Sequence, residues 1–174
     1  MPWSAGVIEQ WEIVDLHTTD ESDFYGPFTG HLSSHLAVPR LGALLGRAPF
    51  LVRRRRIPVL FVEIKAYRAL EQLSAREEAD GQMRGRFREF VVAGDTVALP
   101  VLYGLSAFGP RFCVYSYTQA TRVIEPVAVP RDAESVSDVA PKERWECSLL
   151  DAVGEARFRE VVDGIKAMVA ASGC

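Results

Sequence analysis

The chain has 174 residues, 48% of them hydrophobic and 25% charged, which fits one globular domain with a sizeable core and excludes a low-complexity chain. A formal net charge of -3 excludes a global pull toward nucleic acid or anionic membranes. Cys113, Cys147 and Cys174 are widely spaced and form no C-x-x-C, which argues against a disulfide framework or a cysteine zinc site and suits a reducing compartment.

From the N-terminus, Met1-Pro2-Trp3-Ser4 lacks the basic-then-apolar form of a signal peptide. No apolar run approaches the roughly 20 residues of a membrane span. The expectation is a soluble, intracellular protein, cytoplasmic or nuclear. Residues 1–20 read as an ordered arm, because Val7, Ile8, Trp11, Ile13, Val14 and Leu16 are too apolar for a free tail. Thr18 and Glu21 stand at capping-box spacing, and Phe28, Leu32 and Leu36 recur every four residues behind Pro27. That pattern predicts a helix over about 21–37, with Gly26 as a break point and Pro39 as the stop.

Residues 40–56 are cut up by Gly42, Gly46 and Pro49, and Phe50-Leu51-Val52 reads equally as a short strand or an exposed loop. The run Ile57 to Lys65 is a β-branched, buried strand that ends in Glu63 and Lys65. Side chains alternate along a strand, so the acid and the lysine share one face while Val62 and Ile64 take the other. The next helix opens at Ser74-Ala75-Arg76-Glu77, a second capping box, and closes at Gly94. Met83, Phe87, Phe90 and Val91 mark its apolar face, and its alternating charges read as a solvated one.

The period then shortens. Leu99–Ser106 and Arg111–Tyr117, joined through Phe108-Gly109-Pro110, predict an antiparallel pair, and Arg122–Val129 an edge strand blunted by Pro126 and Pro130. Residues 130–147 read as a polar loop with a turn around Trp145. The stripe Phe158, Val161, Val162, Ile165, Met168 and Val169 predicts a final amphipathic helix over about 151–171. The expected fold is a single α/β domain over 21–174, a small mixed sheet with helices packed on it.

Glu63-x-Lys65 is the sharpest chemical signal. A strand-end carboxylate suits a hard divalent cation, and a lysine two residues on can stabilise charge developing on a phosphate. An ion pair at an exposed strand end fits the same spacing. Only Lys65, Lys142 and Lys166 are lysines among the 20 basic residues, so an amine beside Glu63 is mildly informative. His31 and His35 would share a helix face, but H-x-x-x-H without a glutamate or third ligand suits packing better than zinc.

Four stretches carry a resemblance. They are Glu21 to Pro27, Phe61 to Lys65, Arg76 to Phe87 around Gln82 and Met83, and Pro141 to Trp145. Together they resemble a family of uncharacterised proteins from mushroom-forming fungi, which in turn are similar to the restriction-endonuclease-like, PD-(D/E)XK superfamily. The resemblance implies a mixed sheet flanked by helices and, in an active member, Mg2+- or Mn2+-dependent phosphodiester hydrolysis. By that likeness Glu63 would bind metal, Lys65 would be the catalytic cation, and Gln82 would lie near the phosphate. Glu21 or Asp23 would supply the extra helical acid. The superfamily also places an Asp on the strand before E-x-K, whereas Phe24 to Val62 contains no acid at all. Either the site is degenerate or a strand has been lost there. The expected function is a nuclease-like protein acting as a nucleic-acid- or protein-interaction module, with a metal-dependent nuclease as the alternative. Arg53 to Arg56 would be the phosphate-binding run if nucleic acid is the partner.

Overall fold

The computed structural model describes residues 3–36, 50–54, 57–92, 99–130 and 140–172. Its elements in chain order are α1 (Ala5–Glu12), a 3-10 turn (Glu21–Phe24) that runs into α2 (Tyr25–Leu36), β1 (Phe50–Arg54) and β2 (Ile57–Lys65). A second 3-10 turn (Tyr67–Glu71) leads into α3 (Leu73–Val92), then β3 (Val101–Phe108), β4 (Arg111–Thr118) and β5 (Val123–Glu125). A third 3-10 turn (Lys142–Trp145), β6 (Cys147–Ser148) and α4 (Ala152–Ala171) complete the chain.

The fold is α/β, with an open mixed sheet flanked, among the described residues, by four helices. Strand order is β1-β2-β3-β4-β5, with β6 on the same edge of β4 as β5. Among the described strands only β2 and β3 run parallel, Glu63 lying opposite Ser106 and Lys65 opposite Phe108. A parallel neighbour cannot be reached by a hairpin, and α3 is the crossover that makes the connection. Gly109 turns β3 into β4 with a positive φ of 52°, a conformation that glycine reaches without a Cβ penalty.

Alternation along the strands sorts the core into two layers. Leu60, Val62, Ile64, Leu105, Ala107 and Phe112 pack with Phe28, Leu32, Phe158, Val161 and Ile165 of α2 and α4. Phe61, Phe108, Cys113 and Tyr115 pack with Ala79, Met83, Phe87 and Trp145. Each sheet face is therefore covered, and β2 lies inside the sheet rather than on its rim. Gly104 lets the second layer close, because a Cβ there would come within 2.6 Å of Met83 and 2.7 Å of Phe61.

Several local expectations change. The stretch where a lost strand is one of two alternatives contains β1, antiparallel to β2, and its Phe50–Arg54 sequence brings no acid. The expected 21–37 helix is divided at Tyr25: Asp20 caps the 3-10 turn by accepting from the Ser22 amide, while Thr18 accepts from the Asp20 amide. Helix α3 starts at Leu73, ahead of the Ser74 capping box. The polar loop hides a fully buried Trp145, whose Nε1–H donates to Ser106 Oγ at 3.0 Å. The stops at Pro39 and Gly94 lie outside the described residues.

Candidate functional site

Glu63 and Lys65 leave β2 on the same face as Phe61, toward α3. Phe61 is deep there, its ring 4.8 Å from that of Phe87 in an edge-to-face contact. Two and four residues later the strand has reached the end of the sheet, where α3 offers its polar flank. The helix returns antiparallel to the strand, so the earlier strand residue meets the later helix residue. Arg86 Nε donates to Glu63 Oε1 at 2.9 Å, and Lys65 Nζ lies 3.4 Å from Glu78 Oε2.

The remaining groups extend this pairing. Gln82 Nε2 donates to Glu78 Oε1 at 2.7 Å, and Arg86 Nη1 donates to Glu89 Oε2 at 2.8 Å. Glu78, Gln82 and Arg86 are four residues apart and form one ridge over the strand end. The side chains of Glu63 and Lys65 are 19% and 14% exposed, which shields the Glu63–Arg86 bond from full solvent screening, whereas the Lys65 pair stays open through Glu78. The bond to Glu63 raises the Arg86 guanidinium further above its ordinary range.

Glu21 belongs to the same electrostatic field. Partial burial pushes its carboxyl up; Lys65 opposes the shift, and Glu63, Glu78 and Asp20 add to it. The Tyr25 phenol is likewise pushed up by burial and by Glu21, Glu63 and Asp20. Asp23 is exposed on the same turn, with no bond to Glu63 or Lys65 among the described residues. Four of the five expected site residues, Glu21, Glu63, Lys65 and Gln82, are thus brought together at one end of the sheet. Gln82 is turned onto Glu78. The sequence reading missed Glu78 and Arg86, which stand four residues on either side of Gln82 on the crossover helix, and that spacing was the available signal.

A magnesium-type ion wants near-octahedral oxygen coordination, or six to eight oxygens for calcium. Glu63 gives an oxygen to Arg86, and Glu78 is taken by Gln82 and Lys65. Among the described residues, no three His, Cys, Asp or Glu side chains are placed to hold a metal ion. As arranged, the cluster does not fit a hard divalent cation.

A second polar centre lies behind it. Asp80 is buried and accepts from Arg84 Nε at 2.9 Å, Arg144 Nη1 at 2.9 Å, Tyr115 Oη at 3.0 Å and the Val129 amide at 3.2 Å. It ties α3 to β4 and to the segments on either side of residues 131–139. A cleft of about 510 Å³ opens where β5 and β6 leave the middle of the β4 edge uncovered, lined in part by Cys113, Ser116, Arg144, Cys147 and Arg157. Burial pushes the Cys113 thiol up to about 12 and raises that of Cys147, so both stay protonated and poor nucleophiles at neutral pH.

Fold and site together define an open mixed α/β sheet whose parallel pair ends in an ion-paired acid–lysine cluster. No family model, no curated protein and no solved structure matches the chain. Among the described residues, no helix is long and apolar enough to cross a membrane.

Proposed function

We propose that this chain is a non-catalytic interaction module on a nuclease-like scaffold. The observation that carries the reading is the engagement of both E-x-K side chains by α3, Glu63 with Arg86 and Lys65 with Glu78. A catalytic lysine must face the phosphate on which charge develops, and a metal-binding carboxylate must keep its oxygens for the ion. Here each is held by an opposite charge from the helix above. The pairs tie β2 to α3, and surfaces elsewhere on the scaffold carry the interaction.

Nucleic acid is the partner we propose for that module. Phe24 to Val62 contains no acid, and Arg53 and Arg54 stand on β1 at the edge of the sheet. Fluorescence anisotropy with labelled single- and double-stranded DNA and RNA tests this, with and without magnesium. The expected result is salt-sensitive binding with intact substrate, weakened when Arg53 and Arg54 are replaced by Ala. Absence of binding at 50 mM salt sinks the nucleic-acid partner.

A second reading is favoured by Glu21, whose carboxyl senses both Glu63 and Lys65. In a metal-dependent phosphodiesterase Glu21 would replace the missing strand Asp. That requires Glu63 to exchange Arg86 for Mg2+ or Mn2+ when substrate arrives. Divalent-dependent cleavage that is lost in both Glu63→Gln and Lys65→Ala would establish this reading in place of the first.

A further inference from the structure

The N-terminal helix is held by an unusual contact. Trp11 Nε1 donates to His31 Nε2 at 2.7 Å, with both residues buried. An indole N–H can only donate, so Nε2 must be unprotonated and the neutral ring carries its hydrogen on Nδ1. Nδ1 is buried and has no hydrogen-bond partner, and Gln10 Oε1 on α1 is in the same condition. Gly30 gives Gln10 its room, since a Cβ at that position would overlap the amide.

Around His31 the surroundings are aromatic and cationic. The Trp3 ring stands edge-on at 4.1 Å, Phe158 at 5.9 Å and Trp11 at 6.1 Å. Trp3 in turn donates Nε1 to Leu149 O at 2.7 Å and carries the Arg159 guanidinium 4.9 Å from its ring. Among the described residues, the charged and titratable groups facing the two histidines are His35 from α2 and Arg159, Lys166 and Glu155 from α4; Trp3 and α1 bring indoles. Glu155, the one acid, accepts from Arg159 Nε at 2.8 Å. No carboxylate among these is free to pair with an imidazolium at His31.

We propose that His31 is an acid-sensitive latch: its neutral ring keeps α1 and Trp3 docked on α2 and α4, and a proton on Nε2 releases them. Protonation removes the acceptor for Trp11 and places a second cation beside Arg159. Burial lowers the His31 ring to about 3 from an ordinary 6.5, a shift that His35 and Arg159 reinforce. A histidine lowered in the docked form stabilises docking fully above 6.5, and that stabilisation is lost as pH falls toward 3. The docking constant should fall about tenfold per pH unit in that window. An eight-residue helix is marginal alone in water, so α1 should unravel once released. Residues 13–20 tether α1 to the turn bearing Glu21, and release frees the chain up to that turn.

Amide hydrogen exchange on the full chain from pH 7.5 to 4.5, corrected for intrinsic rates, tests the latch. The expected result is that protection of Ala5–Glu12 falls about tenfold per pH unit below about 6.5 while Val101–Phe108 and Arg111–Thr118 keep theirs. In His31→Gln the α1 protection should lose this slope. Simultaneous loss of protection in α1 and the strands overturns the proposal, as does an unchanged slope in His31→Gln. If that variant does not fold, carbon-detected titration of the wild-type imidazole decides. An Nδ1–H ring at neutral pH, with a midpoint that tracks loss of the bonded Trp11 indole proton, supports the latch. A His31 that titrates near 6.5 with α1 still docked refutes it.

Discussion

Arg86 and Glu63 meet across 2.9 Å, joining the crossover helix to the strand it follows by a charge-assisted bond. The side chains are 29% and 19% exposed, so the pair is screened less than a surface ion pair. Arg86→Ala should destabilise the fold by about 1–2 kcal/mol, the usual range for a hydrogen bond to a charged group discounted for partial exposure. A double-mutant cycle with Glu63→Gln, read by urea denaturation, should give a coupling of at least about 0.5 kcal/mol. Strict additivity would mean that the two residues do not interact in solution.

Asp80 should matter more. Among the described residues it is one of the few buried charged groups, and it answers two arginines, a tyrosine and a backbone amide. Asp80→Asn keeps the shape but leaves Arg84 and Arg144 without a counter-charge, which should cost about 3–5 kcal/mol. Differential scanning calorimetry checks this. A loss below about 1 kcal/mol would mean that the network carries little of the stability.

The Glu21 carboxyl is raised, so the folded state disfavours its charged form. That cost is present above the folded pKa and is relieved as pH falls through it, the reverse of a salt-bridged acid. Glu21→Gln should therefore be slightly more stable than wild type at pH 7, by less than about 1 kcal/mol. The advantage should vanish well below pH 4.5, the ordinary value for the group. Urea melts at the two pH values show the sign. A destabilised Glu21→Gln at pH 7 would mean that attraction to Lys65 outweighs burial.

Close approach of the α4 N-terminus to β6 needs a glycine. Asp151 caps the helix by accepting from the Gly154 amide at 2.7 Å, and a Cβ on Gly154 would overlap the backbone of Ser148. Backbone cannot swing aside as a side chain can. Gly154→Ala should cost about 2 kcal/mol or more in a thermal melt. A neutral result would show that the β6–α4 junction has slack.

Much of this frame was legible because it rests on local periodicity. The Phe158-to-Val169 stripe and the hairpin at Gly109-Pro110 show their structure in consecutive residues. So does the parity that places Glu63 and Lys65 opposite Val62 and Ile64. The partners of the site were not legible, because they depend on which helix face lands on the strand end. Glu78, Gln82 and Arg86 have the spacing of an ordinary solvated ridge, and only packing against β2 turns it into a set of clamps. Asp80 sat in the same charged run, yet apart from Arg84 its partners are 35 to 64 residues away. Trp145 was hidden likewise, since Ser106 and Phe108 come to it across the sheet. At β1 the run from Arg53 to Arg56 masked the short apolar start that pairs with β2.

The most direct measurement is a Mn2+ titration of the wild-type chain followed by electron paramagnetic resonance, beside Glu63→Gln and Lys65→Ala, with cleavage of mixed DNA and RNA read on the same samples. If Glu63 and Lys65 serve as clamps, all three proteins leave Mn2+ free at millimolar concentration and cut nothing. Lys65→Ala then lowers stability by about 1 kcal/mol or less, since its partner Glu78 is 59% exposed. Tight Mn2+ binding by the wild type that disappears in Glu63→Gln, with cleavage that disappears in Lys65→Ala, would contradict the account.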